Sequence, residues 1–190
     1  MQIFLETDRL ILRQFTMDDI DHLVELDSDP EVMRYVTGKP TPRDVIERDY
    51  LPWWLAYYEL GDQYGFWAAI EKQTSHFIGW FHFRPGPDVP NDEPELGYRL
   101  RRQAWGKGYA TEGARALVQK GFANDAIRRI TASTFQDNRS SRRVLEKSGL
   151  RFVRAFRLTP EAKAYHGIPA DRDADLVEYA IERDEWVIPD

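Results

Sequence analysis

The run Gln103-Ala-Trp-Gly106-Lys-Gly108-Tyr-Ala-Thr111 sets two glycines one residue apart. They stand between a strand-like run, Glu95 to Leu100, and a helical pattern from Tyr109 to about Phe122. A chain that turns from strand to helix without Cβ atoms lets a bulky anion reach its amides. The unpaired N–H groups of the first helical turn and the positive end of the helix dipole point at the same spot. Such a junction can hold a phosphate. A tight turn with close helix packing would use the same residues. The spacing fits neither dinucleotide nor triphosphate motifs, because the third glycine is Gly113 and no G-x-x-x-x-G-K-[ST] occurs.

Several elements must position this junction. Leu5 to Phe15 reads as one strand, and Thr16-Met-Asp-Asp19 as a capping-box variant opening a helix to about Asp27. A short helix follows Asp29-Pro30. Thr41 reads as an N-cap with Pro42 at the first helical position, opening a helix to about Leu60 that Pro52 must interrupt or kink. Strands are expected at Phe66–Glu71, Phe77–Phe83, Glu95–Arg101, Arg129–Phe135, Leu150–Leu158 and Ala174–Ile181, with a helix at Ser140–Lys147 ending before Gly149. Arg84–Pro94 carries four prolines and reads as a loop. Hairpins mixed with strand–helix–strand units predict an α/β (α+β) fold: a central mixed sheet of about seven strands with helices on both faces.

At 190 residues, 42% hydrophobic and 13% aromatic, the chain suits one domain over residues 1–190 with a sizeable core. No apolar run approaches the ~18 residues of a membrane span, and the N-terminus has no signal-like pattern. There is no cysteine, which excludes disulfides, thiolate metal sites and a cysteine nucleophile and fits a cytoplasmic setting. No metal site is expected.

The net charge of −6 argues against nucleic acid as partner. Its distribution is uneven. Arg99 to Arg151 holds thirteen Lys/Arg against four Asp/Glu, and the rest holds thirteen against twenty-eight. The positive block surrounds the junction, as a small polyanion would require, while the acidic remainder suits a cationic second substrate. A solvated face would show the same charges.

Gln103-x-x-Gly106-x-Gly108 resembles the acyl-CoA pyrophosphate motif of the GNAT N-acyltransferase superfamily. Four companions strengthen the likeness: Thr7-Asp-Arg-Leu-Ile-Leu-Arg13, Phe77-Ile-Gly-Trp80, Glu95-Leu-Gly-Tyr-Arg-Leu100 and Asn138-Arg-Ser-Ser-Arg-Arg-Val-Leu-Glu-Lys-Ser-Gly149. With the closing Glu182-Arg-Asp-Glu-Trp186 they look like the RimJ/RimL-type branch, whose characterised members acetylate protein N-terminal amines. The resemblance covers about residues 7 to 187. It implies a mostly antiparallel sheet splayed between its fourth and fifth strands, with acetyl-CoA in the V and pantetheine bonded to the fourth strand like an added strand. Leu100 and Arg101 would then offer backbone, and Gln103, Gly106, Lys107, Gly108, Tyr109, Ala110 and Thr111 would wrap the pyrophosphate. Asn138 would bond the pantetheine amides, or serve as a turn residue. Arg142 and Arg143 would reach the 3′-phosphate side, or stay solvated.

Acetyl transfer to an amine needs a neutral amine, donors for the oxyanion and help for the departing thiolate. With no cysteine and no Ser-His-Asp order, direct attack in a ternary complex is expected. Glu95 is the first choice as base, His82 the second and Asp137 the third; each also has an ordinary structural reading. The expected helix at Ser140–Lys147 lacks the tyrosine many such enzymes use as acid, and Ser141 stands where RimL-like members carry a serine. Tyr35, Trp54, His82 and Tyr98 are expected to line the acceptor pocket. Trp53, Trp54, Tyr57 and Tyr58 also have the spacing of a buried helix face. Asp88, Asp92 and Glu93 make the Pro-rich loop a candidate acidic lid, or a plain surface loop. The leading expectation is an acetyl-CoA-dependent N-acetyltransferase acting on a protein N-terminus or a small-molecule amine. A non-catalytic acyl-CoA sensor and an unrelated nucleotide-phosphate binder are the alternatives. Monomer and homodimer are both open.

Overall fold

Eight strands make one sheet in the order β1-β2-β3-β4-β5-β6-β8-β7 in the computed structural model, which describes residues 2–60, 63–86, 89–165 and 167–186. The strands are β1 (Ile3–Glu6), β2 (Leu10–Gln14), β3 (Gly65–Glu71), β4 (Phe77–Arg84), β5 (Glu95–Leu100), β6 (Arg129–Phe135), β7 (Arg151–Arg157) and β8 (Asp175–Glu182). The eighth strand arises because Leu5–Phe15, expected as one strand, is a hairpin. Thr7 N–H donates to Leu10 C=O at 2.9 Å, and the polar Thr7-Asp8-Arg9 stretch turns the chain.

All neighbours pair antiparallel except β5 and β6. These run parallel and share one register pair, Glu95 opposite Thr131, sealed by Thr131 N–H to Pro94 C=O at 3.0 Å. Beyond it the two strands part. This is the expected splay, now between the fifth and sixth strands because the hairpin adds one.

Helices cover both faces. Leu10, Leu12, Phe81, Leu96 and Leu100 pack under α5 (Tyr109–Phe122) and α6 (Arg139–Lys147). Helix α5 lies so close to β4 that a Cβ at Gly113 would overlap the Phe81 ring. Phe66, Ala68, Phe77 and Trp80 face the other way, toward α1 (Ile20–Ser28), α2 (Pro30–Met33) and the helical run 43–60. The capping box holds, with Thr16 N–H donating to Asp19 Oδ2 at 2.9 Å, although a 3₁₀ turn precedes α1.

The 43–60 run is capped by Pro42, not Thr41, whose hydroxyl instead donates to Asp27 Oδ2 at 2.8 Å. It passes from α3 (Arg43–Val45) through a π-helical stretch, Ile46–Tyr50, into α4 (Leu51–Ala56) and a 3₁₀ turn. Leu51 N–H reaches back to Ile46 C=O. This widened turn makes room for the Pro52 ring where an α-helix would clash. A last short helix, α7 (Pro160–Tyr165), lies between β7 and β8. No helix of the described residues is long and apolar enough to cross a membrane.

Candidate active site

Gly106 and Gly108 both take left-handed backbone, with φ of +73° and +85°, and Gly108 is the N-cap of α5. An added Cβ at Gly106 would meet nothing within 4 Å. Among the described residues no amide from Gly106 to Thr111 finds a backbone or side-chain acceptor. Free donors, positive φ and a helix start converge on one open concavity, so the residues present fit a diphosphate. Gln103 and Lys107 are exposed beside it, Ala110 and Thr111 half-buried, and Tyr109 is buried with its hydroxyl on Glu71.

The loop is held from behind by Thr7 and Arg9 of the front motif and by Glu112, to which the sequence assigned no role of their own. Arg9 Nη1 donates to Lys107 C=O at 2.9 Å, and its Nε donates to Glu112 Oε2 at 2.6 Å. Thr7 Oγ1 and Arg9 N–H donate to Glu112 Oε1 at 2.6 and 2.9 Å. Burial alone would raise the Glu112 pKa, but the bonds from Thr7 and Arg9 outweigh it and hold the carboxyl below its usual range. Thr7-x-Arg9 in the front motif and Glu112 just past the glycines were the available signal. A groove runs on from the loop past Arg9, Thr111, Arg115 and Lys147. The latter two belong to the basic block.

The free edge of β5 differs from expectation by one residue. Arg101 N–H is spent on Ile78 C=O at 2.8 Å, so alternation turns the backbone groups of Leu100 and Tyr98 toward the gap. Leu100 C=O already accepts Trp105 Nε1 at 2.8 Å. Its amide and those of Tyr98 form the edge, and Arg101 contributes a side chain bound to Glu25 at 2.7 Å.

The two expected catalytic residues flank the gap from opposite faces. Glu95 lies opposite Arg84 in the β4–β5 register, and Gly97 opposite His82, so Glu95, Arg84 and His82 share the face toward α1 and α4. Burial pushes the Glu95 pKa up, Arg84 pulls against it, and the Glu178 charge adds to the rise. His82 is buried and stacked on Phe66 with ring centroids 5.3 Å apart, and a Cβ at Gly97 would overlap it.

On the other face Tyr98 OH sits 3.0 Å from Ser141 Oγ. Ser141 follows Asn138, which is the N-cap of α6, its Oδ1 accepting Ser141 N–H at 3.2 Å. Asn138 is therefore both candidate ligand and cap, and its carboxamide nitrogen remains a donor.

Tyr98 thus does not join the acceptor-pocket residues His82 and Trp54. Nor does Trp54 line an open pocket: it is 6% exposed and stacks on Phe66 at 4.5 Å. Tyr58, its hydroxyl on Phe66 C=O, has its pKa pushed up to about 12 by burial. Core packing explains these aromatics. Trp53 is the exception, exposed with Arg84 over its ring at 5.1 Å. Tyr35 lies farther along the same face, 6.2 Å from the Phe135 ring and with its hydroxyl 3.5 Å from Asp137 C=O.

Asp92 and Glu93 do not form an acidic lid. Asp92 C=O accepts Arg128 and Arg129 N–H at 2.9 and 3.2 Å, and Glu93 pairs with Arg128. Neutralised and pinned to β6, these residues anchor the loop; Asp88 lies outside the described residues. Asp137 is an exposed turn residue, Arg142 donates to Tyr179 OH at 3.0 Å, and Arg143 is exposed.

An open glycine-rich helix start thus stands beside a forked sheet, with Glu95 at the fork. The chain belongs to the GNAT acetyltransferase family: the family described as "Acetyltransferase (GNAT) domain" matches residues 9–151. It is similar to FsC-acetyl coenzyme A-N(2)-transacetylase of Aspergillus fumigatus, 31% identical over 96% of this chain and 77% of that protein. It is 34% identical to the uncharacterized N-acetyltransferase p20 of Bacillus licheniformis over 77% of this chain and 84% of that one. Among solved structures, a GNAT acetyltransferase from Bacillus anthracis superposes with a TM-score of 0.75 at 25% identity, covering 97% and 99% of the two chains. RimL, a ribosomal L7/L12 alpha-N-protein acetyltransferase in complex with coenzyme A, gives a TM-score of 0.76 with the same coverage; at 17% identity it shows the fold alone. The protein is an acetyl-CoA-dependent N-acetyltransferase.

Proposed function

We propose that residues 1–190 act as one domain of RimJ/RimL-like type, transferring acetyl directly from acetyl-CoA to a primary amine in a ternary complex. The acceptor is a protein N-terminus or a small-molecule amine. The observation that carries this reading is the single rung between β5 and β6, which opens the sheet beside the glycine cradle. Amides from Gly106 to Thr111 hold the pyrophosphate, with Gln103 and Lys107 at its rim. The edge of Tyr98 and Leu100 takes pantetheine as a guest strand, and Asn138 donates to it from the other arm. Arg115 and Lys147, rather than Arg143, border the outer groove.

Glu95 serves as base. Its raised pKa suits a group that must take a proton from an ammonium near neutral pH, since a carboxylate of ordinary acidity is a weak acceptor. The ammonium first gives one proton through Glu95 to solvent; the neutral amine then attacks the thioester carbon, and the second proton that its nitrogen sheds as the amide forms passes to Glu95. The C–S bond then breaks with its electron pair on sulfur, on the Ser141 side. His82 and Tyr35 border the acceptor approach on the Glu95 face. The lack of cysteine supports a cytoplasmic setting.

The test is thiol release from acetyl-CoA by purified protein against a panel of primary amines and short peptides with free N-termini, with mass spectrometry of the products. Acceptor-dependent release and a product one acetyl group heavier are expected. Tight acetyl-CoA binding without acceptor-dependent release would overturn the reading in favour of a sensor.

A further inference from the structure

Tyr98 belongs to the strand that carries the open edge, and Ser141 to the helix behind the opposite arm, 43 positions later in sequence. Their 3.0 Å contact ties one arm of the fork to the other on the side away from Glu95. Both ends are fixed. The Tyr98 ring packs 5.8 Å from Phe81, and the Ser141 amide is held by the Asn138 carboxamide. The geometry allows either hydroxyl to donate; the phenol, as the stronger acid, is the better donor, with Ser141 Oγ accepting. The serine proton is thereby turned away from Tyr98.

Resting on the acetyl-transfer reading above, we propose that Tyr98 is a positioning residue for the leaving group, fixing Ser141 so that its O–H points at the departing sulfur. When the N–C bond forms and the C–S bond breaks, the sulfur keeps the electron pair and accepts a hydrogen bond from the Ser141 hydroxyl. The proton that the attacking nitrogen sheds in this step goes to Glu95, and the thiolate takes its own proton from solvent on release. No proton leaves Tyr98. Burial pushes its pKa up to about 12, with the Ser141 bond pulling the other way, so it stays a donor at any working pH.

The experiment needs no acceptor. CoA carrying ¹³C at the carbon next to sulfur is bound to the protein, and its thiol is titrated by chemical shift. In the native protein the bound thiol should titrate roughly one pH unit lower than in Tyr98→Phe, the size expected for one hydrogen bond to a charged sulfur. Ser141→Ala should give the same upward shift, and the double variant should go no further. Tyr98→Phe removes only a hydroxyl, and CoA affinity measured alongside reports whether the site is intact. Identical titrations in native protein and Tyr98→Phe, or additive shifts in the double variant, would overturn the proposal. Failure of CoA to bind the native protein would instead sink the cofactor reading beneath it.

Discussion

Arg9 and Glu112, 103 positions apart, join the β1–β2 turn to the first turn of α5 through a two-pronged ion pair, while the same guanidinium grips the Lys107 carbonyl. The pair is partly exposed, so its worth to global stability is small. Its value lies in fixing which way the peptide at 107 faces. Turning that carbonyl rearward leaves the neighbouring amides facing the open concavity at the start of α5.

Replacing Glu112 with Gln, or Arg9 with Ala, should therefore raise the KM for acetyl-CoA roughly tenfold and leave kcat nearly unchanged. Steady-state kinetics with varied acetyl-CoA reads this directly. A drop in kcat at unchanged KM would contradict it.

Gly108→Val places a β-branched side chain at φ +85°, where L-residues are strained, and covers the amides at the N-terminus of α5. CoA affinity should fall at least tenfold by calorimetry, with a strain cost of about 1–3 kcal/mol. Gly106→Ala meets no protein atom, but at φ +73° its Cβ is strained and enters the open concavity, so it too should weaken CoA binding, by less than Gly108→Val.

Glu95→Gln should lower kcat by roughly a hundredfold and abolish the acid limb of the pH–rate profile. The sign for stability is opposite to that of a salt-bridged carboxylate. A folded pKa raised above the unfolded one means that the native state binds more protons between the two values. Stability is then lost as pH rises through that window. Glu95→Gln should thus match the native protein's Tm below the ordinary carboxylate range and exceed it at neutral pH. Equal Tm at both ends would show that burial does not raise the Glu95 pKa.

Gly113→Val should push against the Phe81 ring and lift α5 from β4. Overpacking of this kind costs about 1–3 kcal/mol. Calorimetry should record a lower Tm, and CoA affinity should fall with it because α5 carries the cradle.

The strand–glycine–helix junction was legible because its glycines, the strand before it and the helix after it sit within a few positions of one another. The strand periods of β3 to β8 were read within a residue or two. What could not be read were relations that close over long separations. The Thr7–Arg9 turn splits an apolar alternation that looks continuous, since Leu10 and Leu12 keep their period through it. Trp54 has the same spacing whether it lines a pocket or fills a core, and only the sheet face opposite it decides. Tyr98 and His82 look alike as strand aromatics until register sends them to opposite faces. The Asp92 and Glu93 charges were visible, but not that Arg128 would neutralise them.

The lone rung between Glu95 and Thr131 makes the middle of the sheet its weakest seam, for the other interior strand pairs are laddered along most of their length. A carrier that bonds to both sides acts as a keystone, and resistance to unfolding should rise with the logarithm of its concentration. The protein's lifetime in a cell would then follow the supply of activated acyl groups, through the fraction of molecules that carry one.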